Sequence, residues 1–234
     1  MDPKIAVVIP TYNERENIGV LIEKISALKI PGIKIFVVDD NSPDGTGEVA
    51  DKLAGQLPIR VIHRPKKLGL GKAYEDAFRQ ALKENPDFII QMDADLSHNP
   101  LGIPILLEKI KVSDIVIGSR YIASGEIENW GLGRRLISRF GNLYARFALR
   151  LPYRDLTSGF KCYRAAALKK ISADPFSSNG YNFQIETIFR ASKLGLKISE
   201  LPIIFTERKI GASKFNLTII IESFLKVLAL RYEK

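Results

Sequence analysis

The segment FIIQMDAD, residues 88–95, joins a short apolar run to two aspartates. A nearly continuous apolar run of this length is typical of a strand that is buried on both faces of a parallel sheet. Similar runs alternate with segments of helical periodicity; they are IAVVIP (5–10), IKIFVVDD (33–40), IRVIHR (59–64) and DIVIGSR (114–120). This alternation predicts a series of βαβ units, and hence an α/β fold around a mostly parallel central sheet.

The segments between and after these strands complete the predicted order of elements. In the first half, helices are predicted at about 15–28, 46–55, 71–84 and 100–111. After Tyr121 the pattern predicts a basic helix (134–150), a strand (157–164), a helix (182–194), a strand (198–208) and a last helix (215–231). Neither an internal repeat nor a low-complexity linker interrupts the sequence, so residues 1–234 are predicted to form one domain.

Polar side chains cluster where three of the predicted strands end. The clusters are Thr11–Glu14, Asp39–Asp44 and Asp93–His98. In open α/β sheets, ligands bind beyond the carboxyl ends of the strands. Three polar clusters at the same edge of the sheet therefore predict a binding site there.

Asp93 and Asp95 flank Ala94 and follow a predicted strand. Carboxylates at alternate positions can supply oxygen ligands to Mg²⁺ or Mn²⁺, and such an ion would also hold a diphosphate and neutralise charge on a departing nucleotide. The alternative is that these aspartates only begin a loop, where Asp and Asn are common. His98 is predicted to support the turn rather than to bind the metal.

The formal net charge of +9 is unevenly distributed. Residues 1–117 contain 15 basic and 17 acidic side chains, whereas residues 118–234 contain 20 basic and 9 acidic ones. The densest basic stretch, 134–170, contains ten basic residues and a single acid, Asp155. Three anionic partners fit this distribution: nucleic acid, an anionic membrane surface and a phosphorylated substrate. A solvated basic face without a partner is the fourth interpretation.

The predicted helix 134–150 combines an apolar stripe with a cationic face. The stripe consists of Leu136, Ile137, Phe140, Leu143, Tyr144, Phe147 and Ala148, and the cationic face of Arg135, Arg139, Arg146 and Arg150. This arrangement is typical of a helix that lies in an anionic membrane interface. The last predicted helix has a second apolar stripe, made of Leu217, Ile220, Ile221, Phe224, Leu225 and Leu228. Core packing is the alternative for both helices.

No window offers the roughly 18 uninterrupted apolar residues that a membrane-spanning helix requires, so no span is expected. The apolar run near the N-terminus is short and lacks a small-residue cleavage site, which argues against a signal peptide. The lone cysteine, Cys162, cannot form an intramolecular disulfide and favours a reducing compartment.

Seven motifs in order resemble those of one enzyme family. They are IPTYNERENI (9–18), VVDDNSPDGT (37–46), MDADLSHNP (92–100), GSRY (118–121), LTSGFKCYR (156–164), GYNFQIE (180–186) and ERKIGASK (207–214). Together they resemble the dolichol- and polyprenol-phosphate mannose synthases of glycosyltransferase family 2. The resemblance implies a GT-A (Rossmann-like) fold and metal-dependent, inverting transfer of mannose from GDP-mannose to dolichyl or polyprenyl phosphate. It assigns nucleotide and metal binding to residues 1–121, and acceptor binding and the membrane-facing surface to residues 122–234.

The resemblance also implies roles for individual residues of this sequence. The implied donor-binding residues are Pro10, Tyr12, Glu14, Val38, Asp40, Asp93, Ala94, Asp95, Arg120, Arg208 and Lys214. The implied metal ligands are Asp95 first, then Asp93 and Ser97. The implied acceptor-phosphate residues are Arg120, Arg134, Ser138 and Arg208, and the implied catalytic residues are Asp95, Arg120 and Arg208.

A phosphate acceptor requires different catalytic groups from a hydroxyl acceptor. With a second pKa of about 6, a phosphate monoester is largely dianionic at neutral pH and requires no general base. It requires cations, and Arg is suited to bidentate phosphate contacts. In relatives that use a hydroxyl acceptor a carboxylate acts as the base, which makes Glu186 the candidate to compare; an orienting carboxylate in an ordinary helix is the alternative.

Two other functions are also compatible with the sequence. One is transfer of glucose or N-acetylglucosamine from a UDP-sugar to a polyprenyl phosphate on the same scaffold. The other is a non-catalytic nucleotide- or nucleic-acid-binding module. Nucleic acid is disfavoured because the basic stretch has few aromatic residues placed for stacking. The expected location is the cytoplasmic face of a membrane, as a peripheral protein, and a small membrane-anchoring subunit is a further candidate partner.

Overall fold

The computed structural model describes residues 2–207 and 217–232, without the side chains of Tyr181 and residues 217–222. The strands are β1 (Ile5–Thr11), β2 (Ile33–Asp39), β3 (Ile59–His63), β4 (Phe88–Gln91), β5 (Ile115–Ser119), β6 (Glu126–Glu128), β7 (Lys161–Arg164), β8 (Ile198–Pro202) and β9 (Ile204–Thr206). The helices are α1 (Arg15–Ser26), α2 (Thr46–Ala54), α3 (Leu70–Leu82), α4 (Gly102–Lys109), α5 (Leu132–Leu149), α6 (Ala165–Ile171), α7 (Tyr181–Lys193) and α8 (Leu217–Tyr232). One turn of 3₁₀ helix, Ile110–Val112, follows α4.

Seven strands form one sheet in the order β3-β2-β1-β4-β7-β5-β8. All neighbouring pairs are parallel except those of β7, which runs antiparallel to both β4 and β5. The register of β1 on β2 pairs Ile5 with Ile33 and Thr11 with Asp39, so the two strands end side by side. The prediction of an α/β fold with a mostly parallel sheet is confirmed.

As predicted, β1, β2, β4 and β5 are mostly buried on both faces, whereas the edge strand β3 is only partly buried. Because side chains alternate along a strand, Ala6 and Val8 of β1 face one core while Val7 and Ile9 face the other. The first core lies against α3, α5, α6, α7 and α8, and the second against α1, α2 and α4. Helices on both faces thus exclude water from most of the sheet.

Three predicted elements differ from the structure. The strand expected at 88–95 ends at Gln91, and the chain then leaves the sheet through a turn in which Leu96 has a φ of 62°. The strand expected at 157–164 begins only at Lys161. The strand expected at 198–208 divides after Pro202, where β5 also ends: the backbone N–H of Ile203 donates to the carbonyl of Ser119, the last residue of β5, and the chain continues as β9 beside β6. Neither β6 nor α6 was predicted.

The apolar stripe of α5 is exposed. Leu132, Leu136, Phe140 and Phe147 are 79%, 67%, 61% and 75% exposed, whereas Asn142, Ala145 and Leu149 face the protein. Core packing therefore explains only Tyr144 and Ala148, which are partly buried against the first core, and not Leu136, Phe140 or Phe147. Helix α8 packs beside α5, with the Tyr144 and Phe224 rings 4.3 Å apart, and buries Val227 and Leu230. Within the described residues, no helix is both long and apolar enough to cross a membrane.

Candidate active site

A cavity of about 540 Å³ opens beyond the carboxyl ends of β4 and β5. One end is polar and is lined by six of the residues singled out from the sequence: Asp93, Asp95, Ser97, Arg120, Arg134 and Ser138. The other end lies between α5 and α8 and is apolar, with Leu136, Ile137, Phe140, Phe224 and Val227 in its walls. The cavity thus joins a charged site to an apolar groove.

The two aspartates after β4 are held in different ways. The Oδ1 atom of Asp95 accepts the backbone N–H of Ser97 at 3.1 Å, which closes a tight turn around the strained Leu96. The Oδ1 atom of Asp93 accepts the hydroxyl of Tyr74 at 3.1 Å. Both carboxylates line the cavity, and Ser97 lies beside them.

The donor set at this point suits a hard cation that shares its coordination with a substrate. Carboxylate and hydroxyl oxygens are the ligands that Mg²⁺ and Mn²⁺ prefer. Among residues 2–207 and 217–232, no group of three or more Asp, Glu, His or Cys side chains could hold a metal ion. Asp93, Asp95 and Ser97 could hold such an ion, with substrate phosphate and water as the remaining ligands that Mg²⁺ usually keeps.

His98 supports this turn from inside the protein, as predicted. It is 1% exposed and stacks on Phe160 at 5.2 Å between ring centroids. Its Nδ1 atom accepts the backbone N–H of Asp93 at 3.3 Å. Burial lowers the pKa of His98, against the opposing effect of Asp93 and Asp95, so the ring is neutral and suited to accept this bond.

Gly159 allows the chain to pass directly under Asp93. A Cβ atom built on Gly159 would lie 2.5 Å from Oδ2 and 2.8 Å from Oδ1 of Asp93. No side chain fits at that distance, so glycine is required by the close approach and not by an unusual backbone conformation. The glycine of the 156–164 motif therefore sets the position of a candidate metal ligand.

Arg120 is fixed by a buried carboxylate. Its Nε and Nη2 atoms donate to Asp155 Oδ2 and Oδ1 at 2.8 and 2.7 Å, and its backbone N–H donates to Oδ2 at 2.9 Å. Burial opposes the charge of Arg120, but Asp155 outweighs burial and raises the pKa of the guanidinium. The pKa of Asp155 is lowered although its burial acts in the opposite direction, because Arg120 lies beside it. Both groups are therefore charged across the neutral range.

Arg134 and Ser138 face the same cavity from α5. Arg134 stacks on the Trp130 ring at 4.0 Å and pairs with Glu207 at 2.5 Å. The Ser138 hydroxyl accepts a hydrogen bond from the Tyr121 hydroxyl at 2.6 Å. Two arginines and a serine thus line the wall opposite the aspartates, which suits the binding of a phosphate group.

The residues implied to bind the nucleotide lie at the ends of β1 and β2. Asp40 is buried and pairs with Arg64, which donates in turn to Asp76 at 2.8 Å. Burial raises the pKa of Asp40, although Arg64 acts in the opposite direction. Tyr12 carries the Lys67 ammonium over its ring at 3.6 Å.

Among the other implied residues, Glu14 is half-buried, whereas Pro10, Val38 and Ala94 are buried. The Glu14 carboxylate accepts from Asn17 at 2.8 Å, and Pro10 and Ala94 are buried. Val38 has no exposed surface, because it faces the core of helices and strands on one side of the sheet. The expectation that Val38 contacts a nucleotide stays a prediction, and its side chain offers no surface for that contact. Arg208 and Lys214 lie outside the described residues.

The Glu186 carboxylate is buried, and both of its oxygens have partners within the protein. It is 0% exposed, accepts the backbone N–H groups of Ser177 and Ser178 at 3.0 and 2.8 Å, and pairs with Arg190 at 2.6 Å. It does not line the cavity. The geometry therefore favours the orienting role over that of a general base.

Sequence reasoning missed several supporting residues. The one sequence feature that could have indicated the role of Asp155 is its position as the single acid in the basic stretch 134–170. Tyr74 lies in an unremarkable helix and carried no signal. Lys161 lies beneath the site with 0% exposure, and its Nζ donates to the carbonyl oxygen of Ser158 at 2.7 Å and to Gln184 at 2.5 Å.

Comparison with known proteins agrees with the fold. The glycosyl transferase family 2 model matches residues 6–172. The chain is 42% identical over 235 residues to an undecaprenyl-phosphate mannosyltransferase of Micrococcus luteus, covering 98% of this chain and 96% of that protein. It is also 42% identical over 224 residues to a polyprenol monophosphomannose synthase of Mycolicibacterium smegmatis, covering 94% and 84%.

Solved structures give the fold independently. A crystal structure of glucosyl-3-phosphoglycerate synthase from Mycobacterium tuberculosis, with Mn²⁺, UDP-glucose and phosphoglyceric acid, matches with a TM-score of 0.68 at 22% identity. The match covers 98% of this chain and 78% of that one. The predicted GT-A fold is thereby confirmed. On the strength of the family match and the two relatives, the chain belongs to glycosyltransferase family 2, with the polyprenol-phosphate mannose synthases as the group that it resembles.

Proposed function

We propose that this protein transfers mannose from GDP-mannose to dolichyl or polyprenyl phosphate, with inversion at the anomeric carbon and with Mg²⁺ or Mn²⁺. One observation carries the proposal: a single cavity joins paired carboxylates and arginines at one end to an apolar groove between α5 and α8 at the other. A lipid phosphate likewise joins a charged phosphate group to an apolar chain. The names of the two relatives that are 42% identical agree with this substrate class.

The donor diphosphate fits the aspartate end of the cavity. Asp95 and Asp93 would hold the metal ion, with Ser97 beside them, and the bound ion would stabilise the negative charge of the leaving GDP. The loops after β1 and β2, with Tyr12 and Asp40, would hold the nucleoside. The sugar would then lie between the aspartates and the arginine wall.

The acceptor phosphate fits the arginine wall. Arg120, held rigid by Asp155, and Arg134 would bind its oxygens, with a hydrogen bond from Ser138. One phosphate oxygen attacks the anomeric carbon; the new carbon–oxygen bond forms as the bond from that carbon to GDP breaks, and the bonding pair leaves with GDP. No proton has to be removed from a dianionic acceptor. Within the described residues, the only carboxylates that line the cavity are Asp93 and Asp95, which fits an acceptor that needs no separate base.

The apolar end fits a polyprenyl chain that reaches the site from a membrane surface. Leu136 and Phe140 line the groove and are 67% and 61% exposed, so the stripe of α5 continues from the cavity to the outer surface. Such a helix binds at a membrane interface through its apolar face. We place the enzyme on the cytoplasmic face as a peripheral protein, which suits its buried, unpaired Cys162.

A transfer assay tests the reaction directly. Radiolabelled GDP-mannose and UDP-glucose are offered in parallel, each with polyprenyl phosphate and Mg²⁺ or Mn²⁺, and the labelled lipid is extracted into organic solvent. We expect label from GDP-mannose only, and none after chelation of the metal. Label from UDP-glucose alone would show that the donor is a UDP-sugar and would overturn the GDP-mannose assignment. Nucleotide binding without any labelled lipid would support a non-catalytic module.

The Asp95→Ala variant is the matched control for this assay. We expect it to lose transfer while its circular dichroism and melting temperature stay near those of the wild type, because Asp95 lies at the cavity and not in a core. Wild-type turnover by this variant would overturn the metal assignment.

A further inference from the structure

A second cavity, of about 330 Å³, lies on the opposite flank of α5 from the catalytic one. It is lined by Tyr121, Arg139, Asn142, Leu143, Arg146 and Arg154. Residues 139, 143 and 146 are four and three positions apart, so they share one face of the helix. The loop after α5 contributes Arg154. Three guanidinium groups therefore surround one small cavity.

These arginines are not neutralised within the described part of the chain. No carboxylate described in residues 2–207 and 223–232 forms an ion pair with Arg139, Arg146 or Arg154. The Nε atom of Arg146 is buried and has no hydrogen-bond acceptor. Arg146 donates only a long hydrogen bond, from Nη2 to the carbonyl oxygen of Pro152 at 3.5 Å, and Arg139 and Arg154 are exposed, so their guanidinium groups are open to a ligand from solvent.

The two acids that lie next to Arg154, Asp155 and Glu200, have other partners. Asp155 is held by Arg120. Glu200 accepts the backbone N–H groups of Arg154 and Asp155 at 2.9 and 3.0 Å. The positive charge of the cavity is therefore compensated only in part by its surroundings.

A wall of hydrogen-bonded side chains separates this cavity from the catalytic one. The Tyr121 hydroxyl donates to Ser138 at 2.6 Å, and Asn142 Nδ2 donates to Thr157 Oγ1 at 3.0 Å. Asn142 Oδ1 also accepts the backbone N–H of Leu156 at 2.8 Å. Ser138 and Thr157 line the catalytic cavity, whereas Tyr121 and Asn142 line the second one. The second cavity is thus distinct from the acceptor-phosphate site.

We propose that this second cavity binds a phosphate group, supplied by the headgroup of an anionic phospholipid. Guanidinium groups bind phosphate oxygens in bidentate fashion, and three arginines line this cavity. Leu143 lines the cavity and is 45% exposed, and Phe147 on the same helix is 75% exposed, so apolar surface lies where lipid chains would continue. The site lies outside the transfer reaction and does not rest on it.

Vesicle binding tests the site without any substrate. The full chain is sedimented with vesicles of phosphatidylcholine alone, or of phosphatidylcholine with phosphatidylglycerol, in the absence of donor and acceptor. We expect binding to the anionic vesicles to fall about 30-fold in Arg146→Gln/Arg154→Gln, since each basic residue contributes about 1 kcal/mol near such a surface. The charge-conserving Arg146→Lys/Arg154→Lys should lose about tenfold, because lysine cannot replace a bidentate contact.

A charge-matched control separates the site from general attraction. Lys169 and Lys170 are exposed on α6, away from the cavity, and Lys169→Gln/Lys170→Gln removes the same charge. We expect this control to bind within about twofold of the wild type. Equal losses in control and cavity variants, or wild-type binding by the lysine variant, would overturn the site. Circular dichroism checks that each variant is folded.

A soluble arm identifies the source of the phosphate. Inorganic phosphate and glycerol phosphate are titrated while the melting temperature is followed. Stabilisation of the wild type that the glutamine variant lacks would support the site and assign it to a soluble phosphate. Loss of vesicle binding without any such stabilisation would support the lipid headgroup. If the glutamine variant matches the wild type both in vesicle binding and in stabilisation by the soluble phosphates, the cavity does not bind phosphate.

Discussion

Arg120 and Asp155 form a two-point ion pair in the wall of the catalytic cavity, although 35 residues separate them in the chain. Asp155 is 0% exposed and Arg120 8% exposed, and the guanidinium still lines the cavity. A long side chain is thereby held in one orientation before any ligand arrives. For a group that must bind a phosphate in a defined direction, such fixation lowers the entropy that binding costs.

Replacing Asp155 should separate the positioning of Arg120 from its charge. We expect Asp155→Asn to raise the KM for the lipid phosphate and to reduce kcat, because Arg120 loses its fixed orientation. Removing one partner of a buried pair also lowers the free energy of unfolding by about 3–5 kcal/mol. Steady-state transfer kinetics and urea unfolding measure the two effects.

The double variant Arg120→Met/Asp155→Leu is the control for this loss of stability. It removes both charges from the buried wall, so we expect it to regain most of the free energy of unfolding while remaining inactive. Wild-type kinetics in Asp155→Asn would show that Arg120 needs no such support.

Gly159 provides a test of how closely the position of Asp93 is set. In Gly159→Ala the new methyl would lie 2.5 Å from the Asp93 carboxylate, which must therefore move. A displacement of about 1 Å at a reacting site can reduce the rate about 100-fold, and we expect a loss of that order in transfer. Gly133→Ala, in α5 with open space around the added methyl, is the matched control and should retain wild-type transfer. Full activity in Gly159→Ala would mean that the Asp93 position is not critical.

Strong local periodicity explains why most of the fold was predictable. The five apolar runs of the first half became β1 to β5, because such runs are stable only when buried between two layers of helices. The antiparallel insertion of β7 between β4 and β5 was not predictable, since pairing direction depends on contacts that are distant in sequence. The short β6 and α6 carry too few residues for a periodic signal.

The site shows the same division between local and distant information. Asp93 and Asp95 could be placed at the sheet edge, because a strand and a turn define their position. Their supports could not be placed, because Tyr74 and Gly159 reach Asp93 only through the packing of α3 and the 156–160 loop. For α5, the hydrophobic pattern alone could not distinguish a buried stripe from an exposed one, since both have the same period.

Glu186 should be dispensable for the chemistry. Because it binds two backbone N–H groups and Arg190 away from the cavity, we expect Glu186→Gln to retain transfer close to that of the wild type. The free energy of unfolding should fall by about 1–3 kcal/mol, since charge-assisted hydrogen bonds are lost. Transfer assays and thermal melts of the purified variant measure both. A folded variant without any transfer activity would indicate that Glu186 acts as a general base.

Lys161 should make stability depend on pH in a specific window. Burial lowers the pKa of its ammonium from 10.5 to about 7 in the folded protein. Between these values the unfolded chain holds a proton that the folded chain lacks, so the free energy of unfolding rises with pH, by about 1.4 kcal/mol per unit. Below about pH 7 both states are protonated, so the free energy of unfolding no longer changes with pH through this group, and the full cost of burying the charged ammonium remains.

The Lys161→Met variant isolates this contribution from that of every other titrating group. Met retains much of the volume of the lysine stem without the charge, so the variant should be more stable than the wild type near pH 7, and the difference should shrink as the pH rises towards 10. Urea unfolding of both proteins at a series of pH values measures the difference directly. Parallel pH dependences would mean that the lysine stays protonated in the fold, with the carbonyl of Ser158 and the Gln184 amide sufficient to hold its charge.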